Sequence, residues 1–162
     1  MPSTAHRSPR TRRLAPLTVA LLGLAGVGLH APASALTYVW NGSTGAWEDA
    51  TRWSLLGLPG SNDTAELAAG VATLSSIQAV GTLRLTGGSV TGTGQLTAGT
   101  LVFDRGALGG PSSNPPTGST TILGDAGFMG ANYQGVNRNH TLTLQGLSSW
   151  TVGNGGIASG GA

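Results

Sequence analysis

Four strings of alternating apolar and polar residues recur along the second half of the chain: TLRLTG from Thr82, TLVFDRG from Thr100, TILGDAG from Thr121 and TLTLQG from Thr141. Their starts recur with a period of about 20 residues. Within each string, a period of two is the signature of a β-strand, whose successive side chains point to opposite faces. Aligned at the threonine, the second position reads Leu83, Leu101, Ile122 and Leu142, and the fourth reads Leu85, Phe103, Gly124 and Leu144. The fourth position fails once, at Gly124, where a bulge is expected to turn Leu123 inward.

A repeat near twenty residues suits one coil of a β-solenoid, with two or three short strands joined by corners. Burying about five apolar side chains per coil stabilises it by roughly 1.5–3 kcal/mol each, whereas ordering about twenty residues costs roughly 1–2 kcal/mol apiece. One coil therefore cannot stand alone. Stacking supplies the difference by pairing each strand with those above and below, about 4.8 Å away. The chain reads as all-β: a right-handed parallel β-helix whose Trp-rich N-terminal cap over residues 36–70 precedes coils over residues 71–162. About four to five coils are expected there. Leu83, Leu101, Ile122 and Leu142 are expected to be buried in one vertical ladder. Regular strands separated by turns also suit a β-sandwich; agreement of all four strings at the second position favours the solenoid. GALGGPSSNPPTGST, residues 106–120, has almost no apolar content and reads as an excursion at a corner.

The other concentrated feature is VWNGSTGAWEDATRW, residues 39–53, which holds Trp40, Trp47 and Trp53; the fourth tryptophan is Trp150. A solenoid has an open end whose core and strand edge must be covered, and the segment before the repeats is where a cover belongs. The three rings would plug that end. Alternatively they form a carbohydrate-binding platform, with Asn41, Glu48, Asp49 and Arg52 as its polar neighbours. Burial is favoured for rings this large.

YVWNGSTGAWEDATRWSLLGLPGSNDTAEL resembles the opening of bacterial exported β-helix surface proteins, those of the autotransporter passenger type and those with a C-terminal PEP-type sorting signal. Trp40-Asn41-Gly42, Trp47, Asp49-Ala50, Trp53, Pro59 and Asp63-Thr64 match that opening in order. The likeness is specific over residues 38–67, and the later TLxLxG strings resemble the strand repeats of those passengers. It implies a parallel β-helix with structural or adhesive roles and no single chemistry. The family's translocator barrel, sorting tail and terminal cap are not legible in the sequence, so a fragment of a longer solenoid is expected, self-associating through its open end.

Residues 1–35 read as a cleaved export signal. Arg7, Arg10, Arg12 and Arg13 precede the apolar run LAPLTVALLGLAGVGL, and Ala33-Ser34-Ala35 places cleavage after Ala35. The apolar run is shorter than the roughly 20 residues of a spanning helix. No membrane span is expected in the mature chain. Sec export through the periplasm to the cell surface or medium follows. This changes the charge argument. The whole chain carries net +2, but beyond residue 35 four arginines face six acids, which gives −2. Nucleic acid is not an expected partner. With no cysteine and no lysine, stability rests on packing and backbone pairing. The chain beyond Ala35 is dominated by 25 Gly, 17 Thr and 12 Ser, a composition for strands and turns.

Chemistry is sparse. Glu48, Asp49, Asp63 and Glu66 fall in or near the cap. Asp104 and Asp125 share the fifth position of their strings, in a column reading Thr86, Asp104, Asp125, Gln145. Stacked about 5 Å apart, that pair could share a proton or hold a metal cation, although solvated corner carboxylates are the commoner outcome. His140 is the one histidine beyond the signal, so no zinc cluster or His-Asp-Ser set is expected. No cofactor is implied. The leading expectation is a non-catalytic exported structural or adhesive segment, with surface glycans or other cells as partners. The alternatives are a carbohydrate-binding module using Trp40, Trp47 and Trp53, and a sugar-active β-helix enzyme.

Overall fold

The computed structural model describes residues 34–110, 118–129, 134–137, 140–151 and 157–159. The segment read as an export signal, residues 1–35, lies outside the described residues apart from Ser34 and the exposed Ala35. So do residues 111–117 of the Gly/Pro-rich excursion.

Among the described residues twelve strands follow in chain order: β1 (Thr37–Val39), β2 (Thr44–Ala46), β3 (Thr64–Leu67), β4 (Val71–Leu74), β5 (Ile77–Gly92), β6 (Gln95–Leu108), β7 (Gly118–Ile122), β8 (Ala126–Met129), β9 (Gln134–Val136), β10 (His140–Leu144), β11 (Ser148–Thr151) and β12 (Ile157–Ser159). Among the described residues every strand pairing is parallel. The chain is thus a β-solenoid and not a β-sandwich, whose sheets would pair antiparallel. Among the described residues no helix is long and apolar enough to cross a membrane.

Pairings divide the coil into three faces. The first stacks the start of β5, the start of β6, β7 and β10. The second stacks β1, β3, the middle of β5, the middle of β6, β8 and β11. The third stacks β2, β4 and the ends of β5 and β6 with β9 and β12. Alternation along each strand sends one set of side chains inward. On the second face the inward columns read Ala65, Leu83, Leu101, Ala126 and Leu67, Leu85, Phe103, Phe128, all buried. Corners need residues without a side chain at particular points. Gly106 sits at φ +115°, and a Cβ there would overlap the carbonyl of Gly88 in the coil beneath.

The expected single ladder is corrected by these registers. Leu83 does pair with Leu101, but Leu101 pairs next with Ala126. Ile122 lies on the first face opposite Ala98 and Leu144, and Leu142 lies opposite Thr120. Ile122 is fully buried, whereas Leu142 is only partly so. The cause is the excursion after β6. On the third face Ser89 pairs with Ala107, and Ala107 pairs in turn with Gly135. The second of these steps spans much more chain than the first, so later threonine-leucine strings arrive on another face. Leu123 does not turn inward on a bulge: it is 53% exposed, and Ile122 faces the core.

Stacking also begins earlier than residue 71. The Trp-rich segment is itself a coil, because β1 and β2 pair with β3 and β4.

Candidate functional site

The strongest constellation of side chains is the Trp-rich segment. β1 ends at Val39, opposite Glu66, and the Trp40 N–H donates to the Glu66 carbonyl at 2.9 Å, which sets Trp40 over Leu67. β2 does the same for Trp47, whose N–H donates to Thr73 O at 2.9 Å. Trp53 comes from a single 3₁₀ turn, Ala50–Arg52, capped by the Asp49 carboxylate. That turn brings the chain back antiparallel along β1, with Trp40 and Trp53 bridged. Asn41 N donates to Arg52 O at 3.0 Å and Ser54 N to Val39 O at 2.9 Å, so the free edge of β1 is covered.

The rings pack edge to face. Trp53 lies 5.1 Å from Trp40 at 71° and 4.8 Å from Trp47 at 69°, the geometry favoured by aromatic quadrupoles. Trp40, Trp47 and Trp53 are 3%, 0% and 1% exposed. The Trp53 indole N–H donates to Trp47 O at 2.9 Å, and that of Trp40 to Ser43 O at 2.8 Å. A sugar platform needs an open ring face, and these three buried rings present none.

Polar residues of the segment tie it down. Asp49 accepts from the Thr51 hydroxyl (2.6 Å) and N–H (3.1 Å) and from Arg52 Nε (3.0 Å). The Thr51 bonds, with Arg52 beside them, hold its carboxyl below the usual range. Arg52 also donates to the Ser43 hydroxyl, and its guanidinium lies where a Cβ on Gly45 would be, so β2 carries glycine there. Glu48 reaches the corner between β4 and β5. Its Oε1 accepts from the Ser75 N–H and hydroxyl (2.9 and 3.1 Å) and from those of Ser76 (3.0 and 2.7 Å). Burial alone would raise its pKa, but the serine hydrogen bonds outweigh it and keep the carboxyl below its ordinary value. Asp63 clamps Leu36 N at 2.9 Å and Gly60 N at 2.8 Å.

Asp104 and Asp125 do not stack, which corrects the expected pair. Leu85 pairs with Phe103 and Thr86 with Arg105, so Asp104 is the extra residue of a bulge. Asp125 precedes Ala126, which pairs with Leu101, and this sets it level with Thr100. Four residues of strand separate the two levels, about 13 Å. Asp104 lies 3.8 Å from Arg105 Nε. Among the described residues no three acids, histidines or cysteines gather as a metal site.

Sequence reasoning named Glu48 and Asp63 but missed their partners, and it missed the His140–Thr120 contact (Nε2 to Oγ1, 2.8 Å). Glu48 had no local signal, since its partners lie a full coil and more away along the chain. Asp49 had one: an acid two residues before a threonine is an N-cap pattern. Comparison with known proteins finds no matching family model, curated protein or solved structure.

Proposed function

We propose that this chain is an exported, non-catalytic structural or adhesive segment of a bacterial surface or secreted protein. The observation that carries the reading is the tryptophan plug at the start of a parallel solenoid. Residues of the resembling motif have parts in or beside that plug: Trp40, Trp47 and Trp53 pack together, and Asp49 and Asp63 hold the loops. A plugged stack is a stiff spacer that displays repeating outer faces. Its partners are surface glycans, other cells, or further copies meeting the edge of β10 and β11, where Leu142 and Leu144 are only partly buried.

The test is adhesion. Beads coated with the protein are expected to bind cells or glycan-coated surfaces, and to release no reducing ends from a polysaccharide panel. Polysaccharide cleavage that disappears in Asp104→Asn or Asp125→Asn would establish the enzyme reading instead. Glycan-induced quenching of the buried tryptophans would revive the carbohydrate platform.

A further inference from the structure

Thr120 is the one fully buried polar residue of the described core, standing in an inward column between Leu96 and Leu142. A hydroxyl in that position needs a partner, and His140 Nε2 provides it at 2.8 Å. His140 opens β10 opposite Gly118 of β7. The other ring nitrogen, Nδ1, is buried and has no hydrogen-bond partner among the described residues. Its surroundings are tight: a Cβ on Gly118 would lie 3.2 Å from it, and one on Gly109 would lie 2.7 Å from the His140 Cβ. Asn137 is committed elsewhere, its side-chain amide donating to Gly109 O at 2.7 Å and its carbonyl accepting from His140 N at 2.9 Å.

We infer that the His140–Thr120 pair is an acid-sensitive latch that fastens the coil of β10 and β11 onto β7 and β8. A neutral imidazole places its single proton on Nε2, donates to Thr120 Oγ1 and leaves only a lone pair at Nδ1. A second proton creates a buried cationic donor that no described residue accepts from, which is strongly unfavourable. Among the described residues, the groups placed about His140 are Gly118 and Thr120 from β7, Gly109 just past β6, Asn137 from the corner before β10, and the Gly92 and Gly94 carbonyls beside Gly118. None carries a charge, so among the described residues no carboxylate offsets the imidazolium.

Burial lowers the His140 pKa from its ordinary 6.5. The folded value is depressed, so docking of the coil is fully favoured above pH 6.5 and lost as pH falls through the folded value. One proton is linked, so coil opening rises about tenfold per pH unit within that window.

Hydrogen exchange of the full chain, corrected for intrinsic rates, tests this. Between pH 7.5 and pH 5 the β10 and β11 amides are expected to lose protection while those of β3 and β4 keep theirs. His140→Gln retains an amide for Thr120 and is expected to remove the pH dependence. Unchanged β10–β11 protection in the parent chain, or the same pH dependence in His140→Gln, overturns the latch. Should His140→Gln fail to fold, ring nitrogen shifts of the parent protein decide. A proton on Nε2 and a titration below the ordinary imidazole value support the latch, and a titration at or above that value overturns it.

Discussion

Two indole N–H groups of the plug meet different fates. That of Trp53 donates to Trp47 O, whereas that of Trp47 is buried without an acceptor among the described residues. Exchange of either ring for phenylalanine removes similar volume, but the polar consequences have opposite sign. Trp53→Phe strands a buried carbonyl, and Trp47→Phe removes an unsatisfied donor, a difference of about 1–3 kcal/mol. Trp47→Phe should therefore be the milder variant in urea denaturation; equal or reversed midpoints would mean that the Trp47 N–H finds a partner in solution. Glu48 makes a second prediction. Its carboxyl is held below the ordinary 4.5, so its contribution is complete above pH 4.5 and disappears as pH falls through the folded value. Glu48→Gln should lower the urea midpoint at pH 7, with the gap from the parent closing at pH 3. A constant gap would show that the serine contacts depend on shape and not on charge.

At the scale of the element, alternation was readable and position around the coil was not. The strings at Thr82 and Thr100 pair threonine to threonine across adjacent coils. The string at Thr121 pairs its threonine with Thr97 and Thr143 on another face. A strand's pattern says which side chains point inward and leaves open which corner precedes it. Corners are strict in their own way. Gly106→Ala would force a Cβ into the Gly88 carbonyl at a left-handed φ. The expected loss is about 1–3 kcal/mol, read as a lower denaturation midpoint. A neutral result would mean that the β6 corner can relax away from the coil beneath.

At the scale of the whole molecule, each coil touches only its neighbours, so stability should be graded along the stack. β5 and β6 are paired on both sides along most of their length, and their amides should exchange last. Among the described residues β10 and β11 pair with β7 and β8 on one side, and should exchange early. An inward column runs through Phe103 and Phe128 to Trp150, which stacks on Phe128 at 4.1 Å and 8° yet remains 49% exposed. Trp53→Ala should cost about 3–5 kcal/mol and loosen β1 to β4 first. Simultaneous loss of protection in all strands would show that the stack unfolds as one unit.

The sequence by itself determined the fold class and the plug. A period of two, a spacing near twenty residues and three tryptophans before the first repeat are local facts, and each has one economical use in a parallel stack. Even the inward residues Leu83, Leu85, Leu101 and Phe103 were legible, because side-chain direction follows strand parity. Only the tertiary structure decided register and polar partnership. The excursion after β6 delays the chain by a length that no alternation records, which separates Ile122 from Leu101 and Asp104 from Asp125. The bonds from Glu48 to Ser75 and Ser76, and from Thr120 to His140, join residues about a coil or more apart. Hydrogen bonds act at about 3 Å, and which residues come that close is fixed by how the coils stack and not by anything written beside them in the chain.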